Sequence, residues 1–126
     1  MTRLRLILGA AAAWLSMTAA LPATELIMVE RQGCHYCIEW KTDLGPIYPL
    51  TPEGAFAPLR MIDIADAPPP GVHFDTTVVF TPTFVLVEDG AELARIEGYP
   101  GEDFFWGLLG MMLEKNTDFA MPVQTN

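Results

Sequence analysis

Two cysteines separated by two residues are the part of this sequence with the clearest chemistry. They are Cys34 and Cys37, and the 126-residue chain contains no other cysteine. Two thiols at this spacing can form a disulfide with each other and exchange it with a disulfide of another molecule. The pair follows a short apolar run, Leu26–Val29, and opens a stretch whose apolar residues have helical spacing. The pattern therefore predicts a dithiol–disulfide exchange site at a junction between a strand and a helix.

The position of each cysteine in the predicted helix gives it a different part in such an exchange. Cys34 would lie at the helix N-terminus, where unpaired backbone N–H groups and the positive end of the helix dipole stabilise a thiolate. Cys37 would lie one turn further along and be more buried. Cys34 is therefore the predicted nucleophile and Cys37 the predicted resolving thiol. His35, when protonated, would further favour the Cys34 thiolate, and Tyr36 is a candidate for lining a substrate groove.

Other roles are open to a pair of cysteines at this spacing. A metal site would need two more ligands, and the nitrogen donors available in the sequence are His35 and His73. Covalent haem attachment needs a histidine directly after the second cysteine, where this chain has Ile38. A structural disulfide across so short a loop constrains the unfolded chain little. We predict a redox site with no metal and no cofactor, and a metal- or protein-binding module without redox turnover is the alternative.

The elements that must position the cysteines are indicated by hydrophobic periodicity and turn residues. Asp89-Gly90 predicts a tight hairpin turn, and the four prolines within 46–58 predict an ordered, packed loop. The predicted strands are Leu26–Val29, Leu59–Ile64, Thr83–Glu88 and Glu92–Glu97, and the predicted helices are Cys34–Leu44 and Gly101–Lys115. The order predicts an α/β fold, a central mixed sheet of about four strands flanked by helices.

Apolar side chains of the two predicted helices indicate which faces pack on the sheet. Trp40 has helical spacing from Cys37 and Leu44 and is predicted to be core. In the second helix the predicted core stripe is Phe104, Phe105, Leu108, Leu109 and Met112. Trp106 and Met111 lie outside that stripe and would form a partner or membrane contact if exposed. From about residue 116 the chain is predicted to be a loose tail.

The N-terminal residues have the layout of a secretory signal peptide. Arg3 and Arg5 precede the uncharged stretch Leu6–Leu15, which is followed by small residues. Cleavage is predicted after Ala20, with Ala23 as the second choice, which leaves a single domain over 24–126. The alternative is an uncleaved membrane anchor of borderline length. Export would place the two cysteines where disulfides form.

Composition and length exclude several other classes of protein. Seven Lys and Arg against sixteen Asp and Glu give a net charge of −9, which is the wrong sign for tracking a phosphate backbone and excludes nucleic acid as an expected partner. The length allows one small domain. Two cysteines are too few for a structural zinc cage or a scaffold of several disulfides.

A second motif, the segment 80–83 (FTPT), precedes the predicted hairpin. Pro82 alone is compatible with an ordinary residue at the start of an edge strand. Together with the upstream cysteine pair at a helix start, however, the pattern resembles the thioredoxin superfamily. The resemblance implies that Pro82 is cis and packs beside the two sulfurs, and that the backbone of Thr81 pairs with bound substrate.

The chain is most similar in motif to a narrower family. The stretches GCHYCIEW, GPIYPLTPEG, FTPTFVLVEDG and IEGYPGEDFFWGLLG resemble the small periplasmic SoxS-type thioredoxins of bacterial sulfur-oxidation systems. The resemblance implies a periplasmic reductase of disulfides or mixed disulfides on a protein thiol, the carrier cysteine of the SoxYZ complex. It also implies electrons from a membrane thiol transporter of the CcdA or SoxV kind. We expect a monomer, and the alternatives are a disulfide oxidase or isomerase, or a thiol reductase of cytochrome maturation.

The sequence departs from the thioredoxin pattern around the cysteines. Met28 occupies the position of the buried acid that deprotonates the resolving thiol in thioredoxins. Gly33 and the pair His35-Tyr36 replace the usual Trp and Gly-Pro. Few residues precede Leu26 once the predicted signal peptide is removed, so the N-terminus of the fold is expected to be minimal. Another group must then deprotonate Cys37, and the candidates are Glu30, Glu39 and water.

Overall fold

The computed structural model describes residues 23–123. The predicted signal peptide, with its cleavage site after Ala20, lies outside these residues. The elements in chain order are β1 Thr24–Glu30, α1 His35–Asp43, a 3-10 turn Tyr48–Leu50, α2 Pro52–Phe56, β2 Leu59–Asp63, β3 Thr83–Glu88, β4 Ala91–Glu97 and α3 Glu102–Asn116. Within residues 23–123 no helix is long and apolar enough to cross a membrane.

The four strands form one mixed sheet in the order β2-β1-β3-β4. Strand β1 is parallel to β2 and antiparallel to β3, and β3 is antiparallel to β4. The register pairs Val29, near the carboxyl end of β1, with Thr83, the first residue of β3. The segments that follow β1 and precede β3 therefore lie at the same end of the sheet. The predicted α/β fold with a four-stranded mixed sheet is confirmed.

Local sequence explains the ends of the elements that matter for the site. Leu44 and Gly45 end α1, since both of their N–H groups bond to the carbonyl of Trp40. A side chain at position 45 would clash, because a Cβ there would lie 2.5 Å from the Lys41 carbonyl oxygen. The β3–β4 turn places Asp89 and Gly90 at positive φ, as the Asp-Gly pair predicts.

The main core lies between one face of the sheet and the helices α1 and α3. Leu26 and Met28 of β1 pack there with Phe84 of β3. Trp40 of α1 is fully buried among aromatic rings, with centroid distances of 5.2 Å to Phe84 and 5.6 Å to Phe105. The prediction that Trp40 is a core residue is confirmed, and α1 is held on the sheet by this ring.

The predicted core face of α3 is right in part. Phe105, Leu109 and Met112 are buried, together with Leu113. Phe104 and Leu108 instead face solvent, so their assignment to the core was wrong. Successive residues of a helix are rotated by about 100°. Phe104 and Leu108 therefore form a different row from Phe105 and Leu109, and only one of these two rows can face the sheet.

Two further aromatic residues near the C-terminus pack against the domain, and one of them lies in the predicted loose tail. Trp106 is partly buried, and its ring stacks on Tyr48 with a centroid distance of 6.1 Å. Phe119, in the predicted loose tail, is buried and packs edge-on against Phe56 at 5.1 Å. The loop 46–58 is ordered by the 3-10 turn and α2, and the Tyr48 hydroxyl donates to the Ala57 carbonyl at 2.7 Å.

The opposite face of the sheet is covered by the irregular segment 64–82. Val72 and Val78 of this segment pack on the outward side chains of β1 and β3. A cavity of about 390 Å³ remains between the segment and the ends of β1 and β2. The backbone of His73 bonds to Gly90 and Glu92, beside the β3–β4 turn, so His73 is attached at the end of the sheet opposite to Thr83.

Candidate active site

Cys34 and Cys37 are joined by a disulfide at the end of β1. Their Cα atoms are 5.2 Å apart, and neither cysteine is free. Gly33, at a φ of +76°, turns the chain from the strand into the helix, and the Cys34 N–H donates to the Arg31 carbonyl at 3.1 Å. A residue with a side chain is disfavoured at this φ, which explains glycine there.

The two sulfurs have different environments although they are one helical turn apart. Cys34 is the N-cap of α1, and its Sγ accepts a hydrogen bond from the Cys37 N–H at 3.2 Å. It is partly exposed, whereas Cys37 is 1% exposed and belongs to the main core. Backbone N–H groups at this helix end would stabilise negative charge on the Cys34 sulfur. The Cys34 sulfur is therefore accessible from solvent, whereas the Cys37 sulfur is enclosed by the core.

The proline motif lies at the same end of the sheet as the disulfide. The Thr81–Pro82 peptide bond is cis. Pro82 is buried, Thr81 is partly exposed, and the Pro82 carbonyl accepts the Gly98 N–H at 2.7 Å. The hydroxyl of Thr83 donates to the Phe80 carbonyl at 2.8 Å. These bonds tie the segment before β3 to the start of that strand and to the residue that follows β4.

Exposed aromatic and apolar side chains flank both motifs. Tyr36 is 56% exposed and Phe80 59% exposed, and Val79 is exposed beside Phe80. Sequence reasoning assigned Tyr36 to a substrate groove but gave Phe80 and Val79 no role. The signal available was their position directly before Thr81-Pro82.

His35 projects away from the buried sulfur. Its imidazole lies 3.6 Å from the Glu39 carboxylate, and the side chains of His35 and Glu39 are 83% and 42% exposed. The rings of His35 and Tyr36 meet edge to face, with centroids 5.3 Å apart. Cys37 precedes Glu39 by two residues, about 200° around the helix, so Glu39 faces the solvent side while Cys37 faces the core.

Glu30 lies on the side of the sheet that faces α1. Leu26 and Met28 point into the core under α1, and side chains two residues apart share a face of a strand. Glu30 is therefore on that face, next to the end of β1, and its carboxylate accepts a hydrogen bond from the Lys41 ammonium. Lys41 is four residues after Cys37, on the same side of α1. Met28 is fully buried and has no ionisable group.

Two tyrosines anchor the elements around α1. The Tyr99 hydroxyl lies 3.4 Å from an Asp43 oxygen and links the end of α1 to the connection before α3. Burial, together with the charge of Asp43, raises the pKa of Tyr99 to about 12. Burial and then Glu53 also raise the pKa of Tyr48 well above its ordinary value. Both hydroxyls stay protonated at neutral pH and act as fixed hydrogen-bonding groups.

The residues considered for a metal are not brought together. His73 is attached near the β3–β4 turn, away from the cysteine pair, and His35 pairs with Glu39. Within residues 23–123 no group of three or more His, Cys, Asp and Glu side chains is arranged to hold a metal ion.

A disulfide between the N-cap and the first turn of a helix, at the carboxyl end of a central strand, defines the class of protein. The helix packs on a mixed sheet of four strands with a cis-proline before β3. These features are those of the thioredoxin fold with a redox-active Cys-X-X-Cys pair, and the chain is a thiol–disulfide oxidoreductase.

Comparison with solved structures narrows this class. The crystal structure of the periplasmic thioredoxin SoxS from Paracoccus pantotrophus, in its reduced form, is 46% identical, with a TM-score of 0.72, and the match covers 73% of this chain and 97% of that chain. The chain therefore belongs to the SoxS-type thioredoxins. A thioredoxin-fold protein from Helicobacter pylori is 19% identical with a TM-score of 0.54, covering 74% of this chain and 70% of that one, which supports the fold alone. No family model and no curated protein matches the chain.

Proposed function

We propose that this protein is a periplasmic reductase of a disulfide on a partner protein, with Cys34 as the nucleophile and Cys37 as the resolving thiol. The observation that carries the proposal is the asymmetry of the pair. An incoming disulfide can reach the partly exposed Cys34 but not Cys37, which is 1% exposed.

The exchange proceeds in two displacements that conserve atoms and electrons. The Cys34 thiolate attacks one sulfur of the partner disulfide, which forms a mixed disulfide and releases one partner thiolate. The Cys37 thiolate then attacks the Cys34 sulfur, which forms the Cys34–Cys37 disulfide and releases the second partner thiolate. Two electrons pass from this protein to its partner, and a dithiol donor must return them.

Side chains and backbone groups around the cysteine pair are proposed to bind the partner chain and to stabilise the Cys34 thiolate. The exposed rings of Tyr36 and Phe80 offer an apolar surface for the chain on either side of the partner cysteine. Thr81, before the cis-proline, offers backbone groups for pairing with that chain. His35, when protonated, adds a positive charge close to the Cys34 thiolate.

The proposed partner is the carrier cysteine of a SoxYZ-like complex, and the proposed electron donor is a membrane thiol transporter of the CcdA or SoxV kind. The support is the 46% identity to a periplasmic SoxS thioredoxin over nearly that whole chain. The proposed location follows from the same relative and from the signal-peptide pattern of residues 1–20. Thiol exchange within cytochrome maturation is the alternative use of the same site.

Substituting Cys37→Ser should trap the first covalent intermediate. Without the resolving thiol, the Cys34 mixed disulfide persists, and a reductant-sensitive adduct with the carrier protein should be visible by mass spectrometry. Cys34→Ser is the matched control and should give no adduct. Absence of any adduct from Cys37→Ser with exported thiol proteins would contradict the proposal.

The reduction potential distinguishes a reductase from an oxidase. A reductase should have a potential near about −270 mV, the value of thioredoxin, whereas a potential near about −120 mV is that of a strong oxidant. Equilibration of the Cys34–Cys37 pair with glutathione and dithiothreitol buffers measures it. A value near the oxidant end would favour the oxidase or isomerase alternative.

A further inference from the structure

An exposed arginine begins the turn that leads into the accessible cysteine. The Cys34 N–H donates to the Arg31 carbonyl at 3.1 Å, and Gly33 between them has a φ of +76°. A hydrogen bond from the fourth residue to the first closes a β-turn, in which the Cα atoms of these two residues lie within about 7 Å of each other. The backbone of Arg31 is therefore fixed close to the Cys34 sulfur, while its side chain is exposed.

Ion pairing distinguishes Arg31 from most other cations of the protein. The chain has seven Lys and Arg, and five of them lie within residues 23–123, since Arg3 and Arg5 precede that range. Three of the five form ion pairs with carboxylates, which are Lys41–Glu30, Arg60–Glu25 and Arg95–Glu92. In the same range Arg31 and Lys115 form none. Lys115 lies in the last turn of α3, so Arg31 is the unpaired cation at the turn before Cys34.

Carboxylates at the ends of β1 and β2, next to this turn, already accept hydrogen bonds within the chain. Glu30, which directly precedes Arg31, accepts from the Lys41 ammonium. Asp63, its register partner on β2, accepts the Ala65 N–H at 2.8 Å. The Arg31 guanidinium is therefore available to an acceptor from another molecule. A guanidinium fits a carboxylate best, because two parallel N–H groups can donate to its two oxygens.

The net charge of the chain and the charge of Arg31 act over different distances. The whole chain has a net charge of −9, which at low salt favours basic partners over a long range. At an ionic strength of about 0.15 M the Debye length is about 8 Å, similar to the span of the turn between Arg31 and Cys34. The charge of Arg31 therefore acts at the reacting sulfur, while exposed carboxylates further away are largely screened.

We propose that Arg31 is a specificity-determining residue that selects partner disulfides with a carboxylate close to the reacting sulfur. This inference rests on the proposed thiol exchange and adds the chemistry of its substrate. The Arg31 guanidinium binds the partner carboxylate while the Cys34 thiolate attacks the partner sulfur. The contact forms and breaks no covalent bond, so the two displacements are unchanged. Its effect is to raise the rate at which Cys34 captures such a partner.

The test uses reduced protein and two synthetic peptides, each with one cysteine held as a disulfide with 2-thiopyridine. One peptide has Glu on both sides of the cysteine, and the other has Gln at the same positions. Release of pyridine-2-thione, followed by stopped-flow absorbance at about 0.15 M salt, measures attack by Cys34. We expect the Glu peptide to react about fivefold faster, which corresponds to about 1 kcal/mol, the upper end for an exposed ion pair.

Substitutions at the two unpaired cations attribute this preference to a residue. Arg31→Gln should abolish the preference, and Arg31→Lys should retain part of it, because a single ammonium keeps the charge but not the paired N–H groups. Lys115→Gln is the matched control, since it removes one exposed positive charge from the end of α3. The preference of this variant should equal that of the wild type.

Three results would overturn the proposal. Equal rates for the two peptides with wild-type protein, or a preference that persists in Arg31→Gln, would mean that Arg31 does not bind the partner carboxylate. Equal slowing of both peptides by Arg31→Gln would mean that the residue acts on the Cys34 thiolate alone. In each of these cases pyridine-2-thione is still released, so the proposed thiol exchange stands. No release from either peptide would instead refute the thiol exchange, and this inference with it.

Discussion

At the scale of single residues, two chemically identical thiols are distinguished by their surroundings. Cys34 lies outside the first helical turn, where its sulfur accepts a backbone N–H and is open to solvent on one side. Cys37 lies inside that turn and is part of the main core. The proposed division into attacking and resolving sulfur follows from this difference in access and in backbone hydrogen bonding.

Neighbouring residues also determine which group accepts the proton of the Cys37 thiol. A buried thiol must lose its proton before it can attack Cys34. Glu30 lies on the α1 side of the sheet with Lys41, while Glu39 faces solvent with His35. We therefore expect Glu30→Gln to slow resolution of the mixed disulfide about 100-fold at neutral pH, the lower end of the range for loss of a positioned proton acceptor. Glu39→Gln should have little effect.

An aromatic disulfide reagent separates the two chemical steps. Reduced protein releases one coloured thiolate when Cys34 attacks the reagent and a second when Cys37 resolves the adduct. The second phase, followed against pH by stopped-flow absorbance, should move to higher pH in Glu30→Gln alone. An identical second phase in both glutamate variants and the wild type would leave water as the proton acceptor.

At the scale of elements, strand register and one ion pair hold the site-bearing segments in place. Pairing of Val29 with Thr83 brings the chain before β3 to the end of β1. On the other edge, the Glu92 carboxylate of β4 bonds to Arg95 and accepts the Asp75 N–H at 2.8 Å. Arg95 also donates to the Thr76 carbonyl at 2.9 Å. The pair fastens the irregular segment 64–82 to β4.

This ion pair predicts a dependence of stability on acid pH. Burial acts to raise the pKa of Glu92, but hydrogen bonds from Arg95 and the Asp75 N–H and the charge of Arg95 outweigh it and lower the pKa below 4.5. A lowered folded-state pKa contributes stability above the unfolded value, and this is lost as pH falls through the folded value. Glu92→Gln should therefore lose less stability than the wild type as pH falls from 5 to about 2.

Urea unfolding at a series of pH values measures this difference. Glu114→Gln, on the exposed side of α3, is the control and should follow the wild type over the whole range. A Glu92→Gln curve parallel to that of the wild type below pH 5 would mean that the Glu92–Arg95 pair contributes nothing to acid stability.

At the scale of the whole molecule, the sheet separates a larger core from a smaller one. The larger core contains α1, α3 and the two sulfurs, and the smaller is closed by the segment 64–82. The C-terminal chain completes the larger core, because Phe119 returns from the end of α3 to pack on Phe56. Thr117 begins this return, and its hydroxyl donates to the Leu113 carbonyl and accepts the Phe119 N–H.

Removal of the Phe119 ring should destabilise the whole domain. Phe119→Ala is expected to lower the free energy of unfolding by about 3 kcal/mol, the lower part of the range for core phenylalanines. Val123→Ala, at an exposed position of the same tail, should change it by less than about 0.5 kcal/mol. Urea denaturation followed by tryptophan fluorescence gives both values. Equal stability of the two variants would mean that the tail does not contribute to the core.

Sequence patterns predicted some elements closely and others poorly for identifiable reasons. Thr83–Glu88 has the predicted bounds, because a continuous apolar run preceded by Pro82 and followed by Asp89-Gly90 leaves little freedom. Helix α3 was placed within a residue, but its buried face was not, since apolar residues surround most of its circumference. Phe119 was missed because a single aromatic residue in a polar tail has no periodic signal.

The sequence by itself determined the cysteine pair, the strand and helix that hold it and the likeness to SoxS-type thioredoxins. Each of these depends on residue types and short spacings, which act through local backbone preferences. The tertiary structure alone decided that Glu30 lies on the α1 side of the sheet while Glu39 lies on the solvent side of α1. It also decided that Phe80 is exposed next to Thr81-Pro82 and that Phe104 and Met111 remain uncovered. These facts depend on strand register and on which helix face meets the sheet, and both are set by packing between segments distant in the chain.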